Sequence, residues 1–180
     1  EGRNYNKYKV TVRKGRNGNS MKQRIRKKGG LTALLVAGML VMAGCGASDS
    51  KKEVSIDTAV LADSLATGIT YEDSLEQISE KEVGIYYELE EGVSSHVYMG
   101  SGSTAEEVAV FEAKDEASAK LQKEHVQAHL DEQEESFRDY LPEEVKRIEG
   151  AVLEQRGKYV VLCVTKDASA AKEMIEKAFQ

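Results

Sequence analysis

Residues 159–164 read Tyr-Val-Val-Leu-Cys-Val, and this apolar run decides the fold. Both alternating faces of the run are apolar, as expected of a strand that is covered on both sides at the centre of a sheet. The sequence predicts a hairpin in which Ala151–Gln155 and Lys158–Thr165 are the strands and Arg156-Gly157 is the turn, which gives Gly157 a structural role. Cys163, inside the apolar run, is expected to be a buried and unreactive thiol.

A second hairpin is predicted upstream of the first. Val93–Met99 alternates between apolar and polar residues, Gly100-Ser-Gly-Ser103 supplies a turn, and Glu107–Ala113 reads as the partner strand. The motif Thr104-x-x-Glu107 also fits a capping box, so a helix beginning there is the alternative. The β-branched run and the glycine turn favour the hairpin.

Helical signals surround the two hairpins. The predicted helices cover about 55–67, a short segment after the Ser79–Glu82 capping box, 115–137, 142–149 and a closing segment capped by Asp167. The long helix has an inward apolar stripe, formed by Ala119, Val126, Leu130 and Phe137. The sequence therefore predicts an α+β domain. We expect a four-stranded, mostly antiparallel sheet from two hairpins, with helices packed on one face and an additional N-terminal helix.

The N-terminal part of the chain differs from the rest in its residue composition. Residues 21–45 begin with basic residues, continue with the apolar run 31–42 and end in Met-Ala-Gly-Cys. The apolar run is too short to cross a bilayer, which takes about 20 residues. This order of blocks resembles the signal peptide and lipobox of bacterial lipoproteins, although Met42 stands where Leu is usual. The resemblance implies cleavage between Gly44 and Cys45 and attachment of a diacylglycerol to the Cys45 thiol. A buried core helix behind a basic segment is the alternative.

These features divide the chain into four segments. Residues 1–20 precede Met21 and are interpreted as upstream sequence translated in error, and residues 21–44 as the signal peptide. Residues 45–53 are the lipidated cysteine and a polar tether, which spans at most about 27 Å when extended. Residues 54–180 are predicted to form one extracytoplasmic domain.

The charge distribution excludes one class of partner. Residues 46–180 contain 14 basic and 30 acidic residues, a net charge of −16. A domain this acidic lacks the basic surface that nucleic-acid binding requires. Anionic lipid headgroups would also repel it, so we expect membrane attachment through the N-terminal lipid alone. A basic partner or weak cation binding would suit this charge.

His125 and His129 are the candidate metal ligands. They stand four residues apart on the long helix, so their rings project from one side and could share a metal, with a nearby carboxylate as a further ligand. The pair also flanks the apolar stripe, where histidine often serves as the edge of a helix face. The chain lacks the Glu that follows the first His in the zinc-protease motif.

Other motifs point to structure rather than chemistry. The Gly100–Thr104 segment lacks the lysine of a phosphate-binding loop, and no serine lies in a Gly-x-Ser-x-Gly motif. Tyr140 and Pro142 lie at a corner between two helices, where a structural role is expected, because proline suits the first position of a helix.

The chain resembles a known group of small lipoproteins. The resemblance is carried by the signal and by the stretches 100–111, 135–144 and 157–162. They are similar to lipoproteins of Gram-positive bacteria, especially gut Firmicutes, that carry the domain of unknown function 4358. This resemblance implies lipid attachment and an extracytoplasmic location, but no activity, cofactor or catalytic residue.

The expected function follows from location and from the missing catalytic motifs. We expect a non-enzymatic module, lipid-anchored at the outer face of the cytoplasmic membrane, that binds a membrane-proximal protein or a small ligand without a cofactor. An exposed aromatic patch would support an interaction role, with Tyr71, Tyr86, Tyr87 and Tyr98 as candidates. Metal binding by His125 and His129 is the alternative. An enzyme would be favoured if these residues or His96 met carboxylates in a pocket.

Overall fold

The computed structural model describes residues 54–180, which lie within one compact unit. The predicted signal peptide, Cys45 and the tether lie outside the described residues. Helices and strands follow one another as α1 Thr58–Gly68, β1 Glu76–Gln77, α2 Glu80–Tyr86, β2 Ser94–Met99, β3 Glu107–Glu112, α3 Glu116–Phe137, α4 Pro142–Glu149, β4 Val152–Arg156, β5 Tyr159–Val164 and α5 Ala168–Ala178. Between residues 54 and 180, none of the helices has the length and apolar character needed to span a membrane.

The sheet in this part of the chain has five antiparallel strands in the order β1-β2-β3-β5-β4. Both predicted hairpins are confirmed, and the alternative helix at Thr104 is wrong because β3 begins at Glu107 and pairs with β2. The β4–β5 turn places Gly157 at φ +58°, a conformation that glycine adopts without steric cost. As predicted, β5 is central and fully buried.

The predicted count of four strands is wrong, because β1 adds a fifth at the edge beside β2. It has only two residues, both polar and exposed, and so carries no apolar alternation that the sequence could reveal. It forms because Glu76 and Gln77 pair with Met99 and Tyr98 of β2.

The prediction that helices cover one face of the sheet is also wrong. One apolar cluster joins α2, α3 and α4 to a face that includes Phe111 and Leu162. A second cluster joins α1 and α5 to the opposite face, which includes Val110 and Cys163. The physical reason is that β3 and β5 are apolar on both sides, so each face must be covered by helices.

Local capping explains where the helices begin. Asp115 accepts a hydrogen bond from the Ser118 N–H at 2.7 Å, and Asp167 accepts one from the Ala170 N–H at 2.9 Å. Pro142 occupies the first turn of α4. The inward stripe predicted for the long helix is confirmed, since Ala119, Val126, Leu130 and Phe137 are all buried in α3.

Candidate functional site

An open cleft of about 340 Å³ lies between α2, the β2–β3 loop and the C-terminal half of α3. Its rim is apolar: the side chains of Ile85, Tyr86 and Tyr140 are 72, 49 and 62% exposed. Its polar lining includes Glu106, His129, Glu132, Gln133 and Ser136. Apolar walls with a few convergent polar groups are typical of ligand sites.

A buried polar cluster lies against this cleft and centres on Glu107. The Glu107 carboxylate accepts a hydrogen bond of 3.0 Å from the Tyr87 hydroxyl, and its two oxygens lie 3.0 and 3.1 Å from His129 Nε2. The Gln133 amide nitrogen lies 3.3 Å from Glu107 and 2.9 Å from His129 Nε2. Burial, followed by the adjacent Glu107 carboxylate, raises the pKa of Tyr87 well above its ordinary value. Tyr87 therefore stays a hydrogen-bond donor.

His129 connects this cluster to the surface. Its Nε2 faces Glu107, and its Nδ1 makes no hydrogen bond within residues 54–180. The ring also stacks on Tyr87, with a centroid distance of 4.2 Å. A carboxylate that holds one ring nitrogen fixes the orientation of an imidazole. His129 therefore presents an oriented ring to the cleft.

A second polar cluster centres on Arg147 of α4, which is largely buried. Its guanidinium lies 3.1 Å from Glu72, 3.2 Å from Glu106 and 3.1 Å from Glu144. Glu106 also accepts hydrogen bonds from the backbone N–H groups of Glu72 and Asp73, at 2.8 and 2.9 Å. Lys166, followed by Arg147, lowers the pKa of Glu72. This cluster joins the segment before β1 to α4 and to the start of β3.

The loop between β2 and β3 is held by Asp73. The carboxylate accepts hydrogen bonds from the Ser101 N–H and hydroxyl, both at 2.6 Å, and these bonds lower the pKa of Asp73. Gly100 lies so close that a Cβ there would come within 2.7 Å of the carboxylate. The sequence predicts that this segment connects the two strands of a hairpin and does not bind phosphate. The contacts with Asp73 agree with that prediction.

A smaller cleft of about 200 Å³ adjoins the first and shares Tyr86, His129 and Glu132 with it. It is lined by Tyr86, Glu88, Glu124, His125, Ala128, His129 and Glu132. Both candidate metal ligands thus line one cleft. Their hydrogen-bonding partners differ, however: His125 Nδ1 lies 3.2 Å from the Glu88 carbonyl and its Nε2 lies 3.4 Å from Glu90, whereas His129 faces Glu107.

The metal prediction stays a prediction. Among residues 54–180, no group of three His, Cys, Asp or Glu side chains is placed to hold a metal ion. His96 is not brought to the other two histidines, because it lies on β2 opposite Val110, on the face that packs against α1 and α5.

The fold places the candidate tyrosines in different environments and on opposite faces of the sheet. Tyr86 is exposed at the cleft, whereas Tyr87 is buried behind it. Tyr71 and Tyr98 belong to the opposite face, where the Tyr71 hydroxyl donates to the Leu65 carbonyl at 3.1 Å. Tyr140 packs on Phe137 with a ring-centroid distance of 5.6 Å and forms part of the cleft rim.

Sequence reasoning missed Glu106, Glu107, Gln133 and Arg147 as members of the site. A usable signal was present, because two adjacent glutamates, Glu106 and Glu107, stand directly before the apolar run Val108–Phe111. Glutamate is almost never fully buried without partners, so such a pair indicates buried polar contacts.

Comparison with known proteins identifies the family. No curated protein and no solved structure matches the chain. The family model described as Domain of unknown function (DUF4358) matches residues 69–165, more than half of the chain. The matched segment runs from the end of α1 to the end of β5. It contains every residue that lines the two clefts and, except for Lys166, the members of both polar clusters. The chain therefore belongs to the DUF4358 family.

Proposed function

We propose that the chain is a lipid-anchored, non-enzymatic binding module at the outer face of the cytoplasmic membrane, and that the cleft between α2 and α3 is its binding site. One observation supports the proposal that this cleft is the binding site. Of the six large apolar side chains that are exposed in residues 54–180, three line this cleft: Ile85, Tyr86 and Tyr140. Concentrated apolar exposure beside polar groups is characteristic of interaction sites.

The proposed location rests on the sequence. The basic segment, the short apolar run and Met-Ala-Gly-Cys45 together support export and acylation. A tether of eight residues would keep the domain within about 27 Å of the lipid. The binding partner is therefore a membrane-proximal protein or ligand.

A specific observation favours a second candidate, binding of a small ligand or metal through His125 and His129. Both line the smaller cleft together with three glutamates. An enzyme has weaker support: His129 meets the Glu107 carboxylate beside a cleft, but within residues 54–180 no hydroxyl or thiol of Ser, Thr or Cys is hydrogen-bonded to it. The pair therefore lacks the nucleophile expected of a catalytic triad.

The test is site-specific photocrosslinking in cells that carry the lipidated protein. A photoreactive residue replaces Tyr86 in the cleft, and in a matched control it replaces Leu121, which is exposed elsewhere on α3. We expect a discrete adduct from position 86 that position 121 does not give and that Cys45→Ser abolishes. Identical adduct patterns from both positions would contradict the proposal.

A further inference from the structure

The two clefts beside α3 have an unusual charge pattern. They share Tyr86, His129 and Glu132, and no lysine or arginine lines either of them. Glu88 and Glu124 line the smaller cleft, and both are exposed, as is Glu132. Within residues 54–180, the carboxylates of Glu124 and Glu132 form no ion pair. Glu124 and Glu132 therefore hold negative charge that the rest of the domain does not neutralise, whereas the Glu88 carboxylate lies 3.8 Å from His125 Nδ1.

Aromatic rings stand next to these carboxylates. Tyr86 lines both clefts and is half exposed, while Phe137 and Tyr140 line the larger cleft. The faces of such rings attract ammonium and guanidinium groups. An aromatic wall beside unpaired carboxylates favours a ligand that is both cationic and partly apolar.

The larger cleft is also lined by one residue, Gln133, with an unsatisfied acceptor atom. Gln133 Oε1 is buried and accepts no hydrogen bond within residues 54–180. Glu106 Oε1 is not available to a ligand in the same way, because Arg147 Nη1 lies 3.2 Å from it. Gln133 itself is only partly buried and lines the larger cleft. Buried acceptors are normally paired, and a ligand that supplies an N–H donor would satisfy Gln133 Oε1.

The length of the site distinguishes a peptide from a small amine. The lining residues of α3 run from Glu124 to Phe137, thirteen positions or about 20 Å along the helix axis. An extended peptide covers that length with about six residues. A small amine would occupy only one of the two clefts.

Building on the proposed function, we infer that the paired clefts bind a basic peptide segment in extended conformation. Its Lys or Arg side chains enter the two clefts beside Tyr86, near Glu88 and Glu124 in the smaller cleft and near Glu132, which lines both. The occupant is thus a positively charged stretch of a partner protein, which matches the acidic character of the domain.

Calorimetric titration of the purified full chain tests this inference. The probes are a capped hexapeptide of alternating lysine and leucine, the same peptide with glutamate in place of lysine, and N-acetyl-lysine amide. We expect binding of the lysine peptide alone, weakened by added salt because exposed charges are screened. The triple variant Glu88→Gln, Glu124→Gln, Glu132→Gln should bind at least about tenfold more weakly.

The matched control is Glu91→Gln, Glu135→Gln, Glu176→Gln, which changes the net charge equally at exposed positions outside the two clefts. It should bind within about twofold of the original protein, since screened charges at a distance contribute little. Equal weakening in both triple variants would overturn the inference, as would absence of peptide binding or equal affinity for the single amine. A partner that crosslinks through position 86 but contains no basic segment would overturn the inference and leave the proposed function standing.

Discussion

At the scale of single residues, Glu107 is the most constrained group in the domain. It is fully buried at the start of a central strand, and its carboxylate contacts the Tyr87 hydroxyl, His129 and Gln133. A buried carboxylate is tolerated only when such partners replace water. Removing it leaves those partners unsatisfied, which costs more than the contacts themselves contribute.

We expect Glu107→Ala to lower the free energy of unfolding by about 3 kcal/mol, because it leaves buried polar groups without a hydrogen-bond partner and creates a cavity. Glu112→Ala on the same strand is the control. Glu112 is partly exposed and pairs with Lys158 at 2.8 Å, so its loss should cost at most about 1 kcal/mol. Urea unfolding followed by circular dichroism measures both. Equal losses would contradict the role assigned to the Glu107 cluster.

The burial of the Cys163 thiol affects the folding stability of the protein at alkaline pH. Burial raises the pKa of its thiol from 9.0 to about 11. The folded protein therefore holds the thiol proton more tightly than the unfolded chain does, and the resulting stability is complete below pH 9 and is lost as the pH rises towards 11.

We expect the urea midpoint to fall between pH 9 and pH 11, and to fall less steeply for Cys163→Ala. Comparison of the two proteins separates the thiol, together with its 3.4 Å contact to the Tyr71 hydroxyl, from the other tyrosines, which ionise in the same range. Iodoacetamide should modify the native thiol slowly at pH 8 and rapidly in urea, because the thiolate is the reactive species. Parallel pH profiles would refute this assignment.

At the scale of elements, α1 shows why the sheet needs two helical layers. Leu65 of α1 is fully buried with Val110 and Cys163, on the face opposite α3. Without α1, apolar side chains on that face of β3 and β5 would be open to water. The N-terminal helix is therefore part of the core, although the family match begins only at residue 69.

Leu65→Ala should lower the free energy of unfolding by about 3 kcal/mol, because deletion of buried methyl groups leaves a cavity. Leu121→Ala is the matched control, since Leu121 is exposed and its truncation should change stability by at most about 0.5 kcal/mol. Thermal and urea unfolding give both values. If the two substitutions had equal effects, α1 would not be an integral layer of the fold.

At the scale of the whole molecule, the net charge of the domain affects how the protein can be attached to a membrane. The 135 residues from 46 to 180 carry a net charge of −16, so an anionic membrane surface repels the domain. In the proposed arrangement, attachment depends on the lipid on Cys45 rather than on a basic surface.

We expect Cys45→Ser to move the protein from the membrane fraction to the soluble fraction, or to leave it unprocessed. Cys163→Ala serves as the control and should remain with the membrane, because its side chain is buried inside the domain. Cell fractionation with immunoblotting measures the distribution. Unchanged membrane association of a Cys45→Ser protein that has lost residues 21–44 would disprove lipid anchoring through this residue.

Local signals in the sequence were sufficient for most elements. The alternating residues and the glycine turns predicted both hairpins, and Asp115, Pro142 and Asp167 marked the beginnings of three helices. These signals depend on side chains a few residues apart, so they can be read along the chain. The two-residue β1 was missed because it forms only through pairing with β2.

Only the tertiary structure decided the placement of helices on both faces and the composition of the site. Glu107 meets Tyr87 across 20 positions and His129 across 22, while Arg147 meets Glu106 and Glu72 from still farther along the chain. The sequence by itself determined the hairpins, the main helices and the acidic character of the domain, because these follow from local pattern and composition. The cleft depends on which distant side chains the packed sheet and helices bring together, and no local pattern specifies that.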